Sequence, residues 1–132
     1  MPRDGISPEV EDNVRRHWGK EIRFVSREEG RALQDALVRA LSQQEFQKKL
    51  HNAWDAARGN KREQIEARRE VCMEVQGPIL SRFGFEPSFN GLMECYMSFG
   101  PELKTDPEIA MLNQHLNWLA DPALQTGKAL EA

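Results

Sequence analysis

Imidazoles and thiols combine nucleophilic and metal-binding chemistry near neutral pH, and the sequence has five of them: His17, His51, His115, Cys72 and Cys95. A thiolate beside an imidazole is a nucleophile, and His and Cys at short fixed spacings clasp zinc. Neither arrangement is visible. The three histidines fall on three separate helical stretches, no His–Cys pair is close in sequence, and Cys72 and Cys95 are 23 residues apart. G-x-S-x-G, H-E-x-x-H, P-loop and Gly-rich dinucleotide turns are all absent from the sequence. The expectation is therefore no enzyme, no metal and no cofactor. Both cysteines lie beside apolar stripes and read as buried, inert thiols. The alternative is an enzyme whose site assembles only in space, which a polar pocket with perturbed titratable groups would favour.

Nucleic-acid chemistry is the next test. Arg58, Lys61, Arg62, Arg68 and Arg69 form the one basic run, but Glu63, Glu66 and Glu70 interleave with it at helical pairing distances. With a pI of 5.7 as well, no nucleic-acid partner is expected. The charge is nonetheless asymmetric. Residues 1–69 carry 15 Lys/Arg against 12 Asp/Glu, and residues 70–132 carry 3 against 9. Such a division can orient a partner.

The elements that would position these residues are helical almost throughout. The 132 residues suit one domain, and two cysteines are too few for a disulfide framework, which suggests a reducing compartment. The start MPRDGISPEVEDN has no apolar core of a signal peptide, and no apolar run is long enough to span a membrane. Ser7-Pro8 opens a short helix carrying Val10, Val14 and Trp18 up to Gly19, and KEIRFVS reads as an extended arm. Ser26–Glu29 and Ser42–Glu45 are both capping boxes. The helix after the first buries Leu33, Ala36, Leu37, Ala40 and Leu41; the helix after the second carries Phe46, Leu50, Ala53, Trp54 and Ala57. Gly59-Asn60 ends that helix and caps the next. The longest helix follows, with Ile65, Cys72, Val75, Ile79 and Phe83 near one line, and should be central. Gly77-Pro78 inside it predicts a kink or local break. Gly84 is a C-terminal cap with Phe85 folding back over it. Phe89, Leu92, Met93, Tyr96, Met97 and Phe99 form the next stripe, and the aromatic residues between Phe83 and Phe99 read as core. Thr105–Glu108 starts the last helix, seamed by Ile109, Leu112, Leu116 and Leu119 and stopped at Asp121-Pro122.

RFGF from Arg82 to Phe85, the glycine at Gly91, and DPEIA from Asp106 to Ala110 followed by Leu112 and Leu116 resemble the small eukaryotic family called protein C-ten. The likeness extends over about residues 26–122 and includes both helix-starting serines. The resemblance implies a small soluble helical protein of the cytoplasm, with the nucleus also open. It implies no enzymatic activity, no cofactor and no established biochemical role; family members are treated as regulatory or interaction proteins. Residues 1–25 extend past the shared region, and Pro78 falls in a helix the family would run straight.

The organisation expected is an N-terminal extension over 1–25 with a short helix and an extended arm, a helical bundle over 26–122, and a flexible tail over 123–132. The fold class is all-α, a small bundle of five to six helices with a kinked central helix near Gly77-Pro78. On the last helix, Trp118 falls about 180° from Ile109, with Met111 about 20° and His115 about 60° from Trp118. That second apolar face must be covered by residues 1–25, another subunit or a partner protein, because tryptophan and methionine are typical interface anchors. Arg69 and Gln76 interrupt the apolar stripe of the long helix and mark a second place where a core face could meet a partner. The reading is a non-enzymatic protein–protein interaction or regulatory module, with no nucleic acid or membrane partner and homo-oligomerisation open. A structural subunit of a larger assembly is the other non-enzymatic alternative.

Overall fold

Ser26 turns the chain from extended backbone into helix. Its Oγ accepts from the Glu29 N–H at 3.1 Å, and the Glu29 carboxylate accepts from the Ser26 N–H at 3.4 Å, completing the first predicted capping box. The structure, a computed structural model, describes residues 23–127. The helix expected at Val10, Val14 and Trp18 and the end of the tail lie outside the described residues. Within them the chain forms seven helices and no strand: α1 Arg27–Leu41, α2 Gln44–Ala56, α3 Lys61–Arg82, α4 Phe89–Ser98, α5 Pro101–Lys104, α6 Pro107–Ala120 and α7 Pro122–Thr126. The fold is all-α, as expected. The two pieces not foreseen, α5 and α7, form where Pro101 and Pro122 occupy the first helical position, at which a missing N–H costs nothing. Residues 123–126, expected to belong to the flexible tail over 123–132, are thus helical. Asp121 Oδ1 accepts from the Ala123 N–H at 3.0 Å, and the chain leaves α7 through Gly127 at φ +71°.

The second capping box does not form. Ser42 is still in the last turn of α1, its N–H donating to the Val38 carbonyl at 2.9 Å, so Gln43 becomes the residue before α2. The glutamines do the capping from the other side: Gln43 Nε2 donates to the Arg39 carbonyl at 3.0 Å and Gln47 Nε2 to that of Leu41 at 2.7 Å. No local break occurs at Gly77-Pro78, because α3 is a single element of 22 residues. Pro78 and Glu74 are both exposed, so the carbonyl that proline leaves without a donor is on the solvent side. The end of α3 is as predicted. Gly84 takes φ +85°, its N–H donates to the Ser81 carbonyl at 3.1 Å, and that of Phe85 donates to Leu80 at 2.9 Å, a Schellman cap.

Packing follows from these stops. α3 lies against α1, α2 and α4, which makes it central, and α1 also packs on α6. One cluster gathers Leu33, Leu37, Ile79, Leu80, Phe85, Phe99 and Ile109; a second gathers Leu41, Phe46, Leu50, Val71, Cys72 and Leu119. Leu116 touches both. The arm contributes as well: Val25 is buried in the first cluster and donates its N–H to the Ser98 carbonyl at 3.0 Å, so the bundle begins before residue 26.

The aromatic residues from Phe83 to Phe99 divide into two sets. Phe85 and Phe99 are core and the half-buried Phe83 packs against it, whereas Phe89 is 42% and Tyr96 50% exposed, which corrects the expectation that the whole cluster is buried. α4 turns Gly91, Cys95 and Ser98 inward; Phe89 and Tyr96 lie about 160° and 140° around the helix from Gly91, on its outer side.

Candidate partner-binding surface

α6 begins at Asp106, whose Oδ1 accepts from the N–H groups of Glu108 at 3.0 Å and Ile109 at 3.3 Å. That cap, with Pro107 behind it, fixes the rotation of the helix. Ile109 is then fully buried and Leu119 nearly so, and the opposite face carries Met111, His115 and Trp118. Met111 is 64% and Trp118 45% exposed. His115 stacks on Trp118 with ring centroids 6.1 Å apart and planes 14° from parallel. The predicted register is therefore the observed one. Leu124 of α7 is also exposed.

A polar network holds the end of this surface in place. Gln125 Nε2 donates to the Trp118 carbonyl at 2.8 Å and to Gln47 Oε1 at 3.0 Å, while His51 Nε2 meets Gln125 Oε1 at 2.8 Å. His51 thus ties α7 to α2, a structural task that its spacing in sequence did not reveal.

The other two residues singled out from sequence do not join this face. Gln76 is buried, on the wall of a cavity between α1, α3, α4 and α6, so a partner does not reach it. Arg69 is exposed and places its guanidinium 4.2 Å from the centre of the Phe89 ring, at a separate exposed patch. Three other members of the basic run pair within the chain: Arg58 with Asp55 at 3.5 Å, Arg62 with Glu66 at 3.3 Å and Arg68 with Asp121 at 3.0 Å. No group of three or more His, Cys, Asp or Glu among the described residues is arranged to hold a metal ion. Burial pushes the Cys72 thiol up to about 11 and the Cys95 thiol up to about 12, so neither is a thiolate near neutral pH. No helix among the described residues is long and apolar enough to cross a membrane.

A family model, described as Protein C10, matches residues 26–131. The chain belongs to the Protein C10 family. No curated protein and no solved structure matches it. The segments that carry the Protein C10 likeness have architectural roles here. RFGF is the Schellman cap of α3. Gly91 lets α4 approach the Glu86 carbonyl, which a Cβ would overlap. In DPEIA, Asp106 caps α6 and accepts from Arg27 at 2.8 Å, Glu108 accepts from Arg31 at 2.7 Å and from Arg27 at 3.0 Å, and Ile109 enters the core. This segment clamps the start of α6 to the start of α1.

The clamp has a pH signature. The Arg27 hydrogen bond, ahead of the Ile109 N–H, holds the Asp106 carboxyl below its ordinary range, and the Arg31 hydrogen bond, ahead of that from Arg27, does the same for Glu108. Groups depressed on folding stabilise the native state above their unfolded pKa, and that contribution fades as pH falls through the folded value. An Arg27→Gln/Arg31→Gln variant should therefore melt below wild type above about pH 5, and the two curves should converge below about pH 3. A gap that stays constant across that range contradicts the assignment.

Proposed function

We propose that this protein is a non-enzymatic protein–protein interaction module, regulatory in character and acting in the cytoplasm with the nucleus open to it. It binds a partner protein through the outer face of α6. The observation that carries this reading is the exposure of Trp118 beside Met111, on a helix whose other face sends Ile109 and Leu119 into the core. An exposed tryptophan stacked on an imidazole and flanked by methionine is a flat, amphipathic anchor with little side-chain entropy left to lose. Membership of the Protein C10 family is compatible with this reading, and its signature segments serve the scaffold.

The test is Trp118→Asp. Its melting temperature should stay within a few degrees of wild type, because exposed positions contribute little to stability. Capture of the partner should weaken at least about 30-fold, the loss typical of an interface hot spot of about 2 kcal/mol. Equal capture by both proteins would contradict the proposal. A second reading, a structural subunit of a larger assembly, is favoured by the separate Phe89–Tyr96 patch on α4. It predicts that Phe89→Asp reduces the size of the native complex independently of Trp118→Asp.

A further inference from the structure

The arm before α1 reaches both the entry to α4 and its exit. Val25 donates its N–H to the Ser98 carbonyl at 3.0 Å, and the Phe24 ring packs on Gly100, where the chain leaves α4. On the entry side the Arg23 guanidinium donates to the Phe83 carbonyl at 3.4 Å and lies 6.0 Å from the centre of the Phe85 ring. Beside this arm α4 turns an apolar stripe outward. Phe89, Met93 and Tyr96 fall within about 60° of one another around the helix. Phe89 and Tyr96 are exposed and Met93 is half-buried. Two aromatic rings and a methionine in a row make a face suited to burial against another element.

We propose that the segment from Ser7 to Gly19 docks as a helix on this face of its own chain, with Val10 at Phe89, Val14 at Met93 and Trp18 at Tyr96. The stripes match in length. Val10 to Trp18 spans about 12 Å of helix and Phe89 to Tyr96 about 10 Å, with anchors at i, i+4 and i+8 against i, i+4 and i+7. The tether matches as well. The five residues from Trp18 to Arg23 reach at most about 17 Å, more than the length of α4 at about 15 Å. The register places Trp18 at the exit of α4, where the arm lies. Charge supplies a third fit. Arg69, over the Phe89 ring, borders an open groove with Lys61, and neither cation pairs with a carboxylate among the described residues. Glu94 on α4 likewise has no cationic partner among them. In this register Glu9, Glu11 and Asp12 come level with Arg69, and Arg15 and Arg16 come level with Glu94. Docking on α4 leaves the outer face of α6 to a second chain.

The test is NMR on the full 132-residue chain. The Val10 and Val14 methyls should give NOEs to the Phe89 and Tyr96 rings, and amide exchange over residues 12–18 should be slowed at least about tenfold relative to an unstructured chain. A sample mixing isotope-labelled with unlabelled chains tells contacts within one molecule from contacts between two, and the proposal requires the former. Val14→Asp lies outside the core clusters of the bundle. It should abolish these NOEs and return the exchange rates to those of an unstructured chain, while the Leu33 and Ile109 methyl signals stay in place. NOEs found only between molecules would make the stripe a contact between copies and overturn the proposal. So would NOEs from Val10 and Val14 to Trp118 instead of α4. Exchange at the unstructured rate in the wild-type chain overturns it as well, leaving the stripe to a different protein. None of the supporting readouts uses Met111 or Trp118, so this proposal fails separately from the partner-binding reading of α6.

Discussion

Gly91→Ala is expected to destabilise the protein by about 3 kcal/mol or more and to lower its melting temperature by roughly 10–20 °C. Helix propensity argues for the opposite sign, since alanine is favoured over glycine by about 1 kcal/mol inside a helix. Space decides between them. A Cβ at Gly91 would overlap the Glu86 carbonyl oxygen and crowd its carbon and Cα as well, and these are backbone atoms. They are held by the turn that starts α4: the Ser88 N–H donates to the Glu86 carbonyl at 2.9 Å, and Ser88 Oγ accepts from the Gly91 N–H at 3.2 Å. Relief requires α4 to withdraw from the turn before it, taking Cys95 and Phe99 out of the first core cluster. Gly59 provides the contrast. It needs its positive φ of +90° but has open space around its Cβ position, so Gly59→Ala should cost only about 1 kcal/mol. Thermal melts by circular dichroism check both. A Gly91→Ala melt at or above wild type would mean that α4 is not seated against Glu86 as described.

The second large effect separates two phenylalanines four positions apart. Phe85→Ala should cost about 3–5 kcal/mol, because Phe85 is 5% exposed, packs over the end of α3 and closes the Schellman cap with Leu80. Phe89→Ala should cost less than about 1.5 kcal/mol, because its ring is 42% exposed and loses mainly the Arg69 guanidinium above it. Chemical denaturation of the two variants measures the difference directly. Equal losses would restore the view that the whole aromatic cluster is core.

That division shows what was readable in the sequence. Stops and starts governed by a single residue's chemistry were legible: Gly84 and Gly59 with positive φ, Asn60 accepting from the Glu63 N–H at 3.1 Å, and Asp106-Pro107. So was the register of α6, because Ile109 and Trp118 on opposite sides follow from helical periodicity alone. The second capping box failed because Ser42 had a competing use, ending α1, and the pattern carries no sign of which use wins. Phe89 and Tyr96 were misplaced for a related reason. Periodicity says which residues share a face, while only the neighbours available to α4 say which face is covered.

The candidate sites follow the same logic. Met111, His115 and Trp118 were found because they share one helix face. Gln76 interrupts the apolar stripe of α3, which in sequence reads as a surface feature, whereas packing buries it on the wall of the cavity between α1, α3, α4 and α6. That wall arises from four helices meeting, which no local pattern encodes.

The central claim is that the outer face of α6 meets another protein chain. A photo-crosslinking side chain at Met111, which is 64% exposed, reports its neighbour directly in cells, with Asn52 on α2 as an exposed control. The account predicts a discrete intermolecular adduct from position 111, absent from position 52 and lost when Trp118→Asp is added. Cross-links from position 111 that run only within the same molecule, or none at all above the control, would contradict it.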